Sequence, residues 1–174
     1  MKSQNMLRTR LAQLAFLVVW CVPGAFAVGL GLPGCATRNI PDTDVADSEF
    51  NRRVIEFCEG YRRAVEKRSI GQLASLADPK YFEDGGNADP SDDMDFNEFK
   101  ASLAQVFAKA RAIRYEMKYR RVGRGEKQQV YVDYTFSASY KIPTEHGDVW
   151  RRRVAENRLE LVEHGETFRI ISGM

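Results

Sequence analysis

The spacing of apolar residues changes once along this chain, and the change constrains the fold more than any other feature. Between residues 50 and 110, apolar side chains return every three or four positions, which is the period of one face of an α-helix. Between residues 113 and 140 they alternate with polar side chains, as in a strand with one buried face. Helices followed by strands predict an α+β domain with the helices on one face of the sheet.

Three helices are predicted in the first part of this domain. The first covers residues 48–68 and the second residues 70–76. The third, residues 96–110, begins with a capping box formed by Asp95 and Glu98. The segment between the second and third helices is rich in Asp, Gly and Pro, so we expect a solvated acidic loop there.

Four strands are predicted in the second part. The first two are separated by a turn at residues 123–125 (GRG). The other two cover about residues 148–162 and 167–172 and are joined by a turn at His164. Because successive strands joined by short turns pair side by side, these strands predict a mainly antiparallel four-stranded sheet.

The first 34 residues have a different composition from the rest. They contain three basic residues and no acidic one, and residues 14–20 (LAFLVVW) are continuously apolar. A basic segment followed by a short apolar segment is the layout of a secretory signal peptide. Residues 1–34 are therefore predicted to export the domain that follows.

Three fates of this leader are open. Residues 32–35 (LPGC) resemble a bacterial lipobox, which implies a lipid on Cys35 and a tether over residues 35–47. Residues 25–27 (AFA) form an ordinary cleavage site that would release Val28 as the new N-terminus. An uncleaved membrane anchor is the third, although prolines and glycines interrupt the apolar run. We expect the lipidated form, held on a membrane of the bacterial cell envelope with its domain outside the cytoplasm.

The charge balance of the domain argues against a nucleic-acid partner. The chain has 26 Lys and Arg residues, of which three lie before Cys35, and 24 Asp and Glu residues, none of which does. The remaining 23 basic and 24 acidic residues leave a net charge near zero. Binding to phosphate backbones needs a basic excess on the folded domain.

The order of these elements resembles the nuclear-transport-factor-2-like superfamily, which includes ketosteroid isomerases and polyketide cyclases. Three local runs carry the likeness: residues 61–64 (YRRA), 76–79 (LADP) and 168–173 (FRIISG). The resemblance implies that residues 48–174 form a cone-shaped domain with a curved sheet around a cavity. With Cys35, the whole chain also resembles small bacterial lipoproteins of this fold.

The aromatic residues on the apolar faces are the candidates for the cavity wall. We predict that Tyr61, Tyr115, Tyr134 and Trp150 line the pocket. The superfamily's enzymes need an Asp or His aimed into the cavity. Asp133 alternates with Tyr134 and so faces away from it, and both histidines lie in predicted turns, so we predict no catalytic residue.

No metal or cofactor is expected, because no Cys or His pair has the spacing of metal ligands.

Three functions are compatible with these sequence features. The first is a non-enzymatic envelope module that binds a small apolar ligand or a protein partner. The second is a small isomerase or cyclase that uses acid–base residues in the cavity. The third is a scaffold that forms a homodimer through its sheet. The arginines at residues 151–153 are expected at a polar edge or on the outer face of the sheet.

Overall fold

A computed structural model describes residues 38–85 and 89–174 of the chain. The predicted signal peptide and Cys35 lie outside these described residues. The helices are α1 (Glu49–Glu66), α2 (Ile70–Leu76) and α3 (Phe96–Lys109), and the strands are β1 (Phe82–Glu83), β2 (Met94–Asp95), β3 (Ala112–Arg124), β4 (Gln129–Thr144), β5 (Gly147–His164) and β6 (Thr167–Ser172). The predicted α+β class, with three helices on a four-stranded antiparallel sheet, is confirmed.

The helices begin at the side chains that the sequence offers as caps. The Ser48 hydroxyl accepts the amide N–H of Asn51 at 3.1 Å, which caps α1. At α3, Asp95 accepts the amide N–H of Glu98 at 2.9 Å, and the Glu98 carboxylate accepts that of Asp95 at 2.9 Å. α1 ends two residues before its predicted end, because Arg68 adopts a left-handed conformation with φ 53°.

The main sheet has the strand order β3-β4-β5-β6, and every neighbouring pair is antiparallel. β4 pairs with β5 along its whole length, and its even-numbered residues face the helices. We call this the inner face of the sheet, and the opposite one the outer face. On the outer face the Tyr131 ring lies directly over Gly123 of β3, where a side chain would come within 2.2 Å of it.

The core lies between α1 and one end of the inner face. α1 contributes a buried stripe that includes Val54 and Cys58, and it packs on β3 and β6. The opposing sheet residues are Val130, Val132, Leu159, Leu161 and Ile170, each at most 1% exposed. α3 packs mainly on α2 and β2, so it stands away from the sheet. No helix of the described residues has the length and apolarity that a membrane crossing needs.

Residues 38–47 fold onto the domain, which corrects the prediction that residues 35–47 form a tether. Val45 is only 2% exposed and belongs to the core. The Asp44 carboxylate forms an ion pair with Arg120 of β3 at 2.9 Å. The segment is a turn that is held on the domain by one buried residue. A single buried residue produces no helical or strand periodicity, so the sequence gives no sign of this packing.

The acidic loop between α2 and α3 contains a small ribbon that the sequence did not predict. β1 and β2 pair as two-residue strands, with Phe82 opposite Asp95 and Glu83 opposite Met94. The Glu83 carboxylate accepts the backbone N–H of Gly173 at 2.7 Å and the Tyr81 hydroxyl at 2.9 Å. These bonds fasten the ribbon to the end of the chain.

Candidate ligand-binding cavity

A cavity of about 450 Å³ lies between α3 and the inner face of the sheet. It exists because α3 stands away from the strands, so the inner face at this end has no helix packed directly on it. Most of its wall is apolar and includes Val106, Phe107, Ala110, Phe136, Ala138 and Ile142. Val106 is 54% exposed, which places an apolar side chain at the opening.

A second cavity of about 450 Å³ adjoins the first, and Val65, Tyr115 and Phe136 line both. Its other walls come from α2, α3, β5 and the end of the chain, and they include Leu73, Phe99, Leu103, Glu156, Asn157 and Met174. This second space is more polar, because Asn157 lines it from the inner face and Glu156 borders it. The two cavities together follow the gap between α3 and the sheet.

A cluster of three tyrosines lies at the inner end of these cavities. The Tyr61 and Tyr115 rings meet edge to face with their centroids 6.2 Å apart, and Asn157 Nδ2 donates to the Tyr134 hydroxyl at 3.1 Å. Burial raises the pKa of Tyr115, whereas the neighbouring Tyr134 and Tyr61 hydroxyls and the charge of Arg153 act in the opposite direction. Burial, followed by the effects of Tyr115, raises the pKa of Tyr134 well above its ordinary value. All three phenols are therefore neutral hydrogen-bonding groups at physiological pH.

Two cationic residues also line the first cavity. Lys109 comes from the last turn of α3, and Arg153 comes from β5 opposite Ala138. The Arg153 guanidinium carbon lies 5.8 Å from the centre of the Phe136 ring, so this group sits over an apolar part of the wall. Arg153 lines both cavities, and Lys109 lines the first.

No protein-family model and no curated protein sequence matches this chain. Solved structures do match it. The Kfla4162 protein of Kribbella flavida is 16% identical, with a TM-score of 0.59 over 73% of this chain and 90% of its own. A candidate dehydratase of the nuclear-transport-factor-2-like family from Streptomyces avermitilis is 12% identical, with a TM-score of 0.59 over 71% of this chain and 92% of its own.

The domain has a nuclear-transport-factor-2-like fold. A Caulobacter vibrioides protein described as having a cystatin-like fold agrees with this, at 13% identity and a TM-score of 0.55 over 72% of this chain and 87% of its own. At such identities the likeness establishes the fold alone.

The nuclear-transport-factor-2-like domain places three of the four predicted pocket residues at or beneath the cavities. Tyr115 lines both cavities and Tyr61 lines the second. Tyr134 is 1% exposed and lies on the inner face beneath Tyr115, where it joins the hydroxyl cluster without lining either cavity. These three side chains meet because Tyr115 of β3, Tyr134 of β4 and Tyr61 of α1 all point into the space between the helices and the sheet.

Trp150 does not line the cavity, and that prediction is wrong. It pairs with Lys141 of β4, so it belongs to the outer face, where it is 43% exposed. Its ring stacks under the guanidinium of Arg114 at 4.8 Å. The strand pairing also corrects the expectation that residues 151–153 lie at a polar edge or on the outer face. Residues 151 and 153 face inward, and only Arg152 between them lies on the outer face.

The acidic and imidazole groups considered as catalysts lie away from the cavity. The Asp133 carboxylate is on the outer face and accepts hydrogen bonds from Arg158 at 2.7 Å and Arg121 at 2.9 Å. His146 lies in the β4–β5 turn and His164 at the end of β5. Within residues 38–85 and 89–174, no group of His, Cys, Asp and Glu is arranged to hold a metal ion.

Proposed function

We propose that this chain is a non-enzymatic binding module of the bacterial envelope, which holds a small, mainly apolar ligand between α3 and the sheet. The observation that carries the proposal is the cavity itself. Protein interiors are normally packed without voids larger than a water molecule. A space of about 450 Å³ with an apolar wall falls within the range of small-molecule pockets, about 300–1,000 Å³.

The geometry also supports an opening to solvent. Val106 is more than half exposed at the edge of the cavity, whereas Phe107 beside it is buried. Burying such apolar surface under a ligand stabilises a complex by about 25 cal/mol per Å². The tyrosine hydroxyls at the inner end would supply one or two directional hydrogen bonds to a polar group of the ligand.

The isomerase or cyclase alternative has one feature in its favour, the Tyr115 side chain that lines both cavities. Such a hydroxyl could stabilise an oxyanion, but acid–base chemistry also needs a proton acceptor beside the substrate. Glu156 borders the second cavity, although its pairing with Thr135 places it on the outer face of β5. A Glu156→Gln variant that loses turnover of a carbonyl substrate would support the enzyme.

The dimeric scaffold has less support from the outer face of the sheet. Large exposed apolar side chains on that face within the described residues are Trp150 and Val154, and Arg152 lies between them. Ion pairs such as Asp133–Arg158 occupy much of the remaining surface. Stable homodimer interfaces have a more continuous apolar centre.

Ligand binding can be tested with N-phenyl-1-naphthylamine, a neutral apolar dye that fluoresces when it leaves water. We expect the purified protein to bind it, and Ala138→Phe to weaken binding by about tenfold or more, because the ring would fill the cavity. Ser137→Phe is the matched control, since it adds the same ring on the outer face of the same strand. Equal affinity in all three proteins, or no binding to any, would contradict the proposal.

The envelope location is supported by the leader sequence and by the LPGC run that ends at Cys35. Mass spectrometry of the protein extracted from its native membranes tests it. The expected N-terminal residue is Cys35 carrying lipid, and Cys35→Ser should release the protein from the membrane. An unmodified N-terminus at Val28 would contradict lipidation and leave export intact.

A further inference from the structure

The charged side chains of the first cavity indicate what kind of ligand it takes. Among the described residues, those that line it and carry charge are Lys109 and Arg153, and both are cationic. We infer that the ligand is an amphipathic anion, whose apolar body fills the cavity and whose acidic group lies between these two side chains. This inference rests on the proposed function, because it concerns the ligand of the same cavity.

Neither cation is neutralised by the protein. In the described part of the chain, no carboxylate lies within ion-pair distance of Lys109 or Arg153, although ion pairs are frequent elsewhere in the domain. Arg153 is exposed, and its guanidinium carbon lies 5.8 Å from the centre of the Phe136 ring, so the cation stands at the edge of the apolar wall. The acidic group of an amphipathic ligand could approach both cations while the apolar body of that ligand contacts the wall.

The surroundings keep this end of the sheet positive. Arg151, which pairs with Tyr140, is the next inward residue of β5 and adds a third positive charge at this end of the inner face. Glu156 pairs with Thr135 and so belongs to the outer face of β5, and it borders the second cavity and not the first. A ligand's acidic group would therefore be drawn towards the first cavity and away from Glu156.

The cavity volume limits the size of the anion. A space of about 450 Å³ accepts a single apolar chain or a small ring system. Both chains of a diacyl phospholipid would not fit in it. The class is therefore a free organic acid with one apolar body, and an intact membrane phospholipid is the alternative that the experiment must separate from it.

Two dyes with the same rings provide the test. N-phenyl-1-naphthylamine is neutral, and 8-anilino-1-naphthalenesulfonate carries a sulfonate on the same skeleton. We expect the purified protein to bind the sulfonate about five to ten times more tightly than the neutral dye at low salt. High salt should reduce this preference, because ions screen the two cations.

Single substitutions test which side chains bind the acidic group of the dye. Arg153→Gln should bring the ratio of sulfonate affinity to neutral-dye affinity close to one, whereas Arg153→Lys should keep the preference. Arg152→Gln is the matched control, because it removes the same charge from the outer face one residue away. Lys109→Gln gives a second, independent reduction of the ratio. Ala138→Phe should abolish binding of both dyes.

The outcomes separate the two proposals. If neither dye binds, the proposed function fails. If the neutral dye binds but the sulfonate is not preferred, or if the preference survives in both Arg153→Gln and Lys109→Gln, the anion inference fails and ligand binding stands. Sulfonate binding that persists in Ala138→Phe would overturn the inference, because the charge would then be recognised elsewhere. Displacement of the sulfonate by dodecanoate but not by vesicles of phosphatidylglycerol supports a free acid, and the reverse result contradicts it.

Discussion

At the end of the sheet where β6 joins β5, α1 covers the inner face and side chains such as Val132 and Leu159 are completely buried. At the other end, beside the β4–β5 turn, the same face of the same two strands carries Ala138, Ile142 and Arg153 and borders a cavity. The two ends are built from the same strands with the same pairing, and the even-numbered residues of β4 and the odd-numbered residues of β5 face inward at both. What changes is the covering helix, because α1 packs on β3 and β6, whereas α3 packs mainly on α2 and β2.

This difference teaches how one sheet serves both stability and binding. The first end, which we call the packed end, supplies the buried area on which the domain depends. The second, the open end, contributes less burial and keeps space for a ligand. Substitutions at the packed end should therefore change the free energy of unfolding, and those at the open end should change binding.

Leu159→Ala should produce the largest effect. Its side chain is fully buried at the packed end, so truncation leaves a cavity and lowers the free energy of unfolding by about 3 kcal/mol. Ile142→Ala, which removes a similar side chain at the open end, should cost about 1 kcal/mol or less. Urea denaturation of both variants measures this, and equal losses would show that the two ends do not differ.

Tyr134→Phe should have an intermediate effect. The change keeps the ring but removes a buried hydroxyl that accepts a hydrogen bond from Asn157, and the expected loss of unfolding free energy is about 1–2 kcal/mol. Tyr140→Phe, an inward tyrosine at the open end, should cost about 0.5 kcal/mol or less. A smaller loss for Tyr134→Phe than for Tyr140→Phe would contradict the assignment of the ends.

Asp133→Asn tests the outer face behind the packed end. Hydrogen bonds from Arg158, then Arg121, hold the pKa of this carboxyl below its ordinary value of 3.8, so the ionised form stabilises the fold. Because the arginines are about half exposed, we expect a loss of only about 0.5–1 kcal/mol at pH 7.

The pH dependence has a definite sign. A lowered folded-state pKa means that the stabilisation is present above the unfolded value and is lost as the pH falls through the folded one. The difference between wild type and Asp133→Asn in urea midpoint should therefore shrink as the pH is lowered from about 5 towards 2. A difference that grows on acidification would contradict the ion-pair geometry.

Much of the fold, but less of the cavity, can be predicted from the sequence. Helix α2 matches its predicted bounds, and α3 begins at its capping box, because caps and periodicity are local signals. At the packed end, the alternation on β4 also identifies the inward residues. On β5, residues 149–154 (VWRRRV) show no alternation, because the open end lets arginines occupy inward positions. Trp150 was therefore assigned to the wrong face, and Arg153 was missed as a cavity residue.

One signal could have corrected this error. The short turn after β4 fixes the pairing of β5, so counting back from Leu159 and Leu161 places odd-numbered residues inward. The burial of Val45 had no comparable signal, since it depends on a turn that meets the edge of β3 from far along the chain.

Trp150→Ala should produce the smallest effect. The ring is on the outer face, stacked with Arg114, and its loss should change neutral-dye affinity by less than about twofold and the unfolding free energy by about 0.5 kcal/mol. Dye titration and urea denaturation check both values. A large loss of dye affinity would show that Trp150 contacts the ligand, which would contradict its position on the outer face.

The central claim is that the open end of the inner face holds the ligand, and amide chemical shifts measured during titration with 8-anilino-1-naphthalenesulfonate test it most directly. The account predicts that the shift changes cluster on α3 and on the open-end residues Phe136, Ala138 and Arg153, with Val132 and Leu159 nearly unaffected. Changes centred on the outer face at Trp150 and Arg152, or spread evenly over both ends of the sheet, would contradict it.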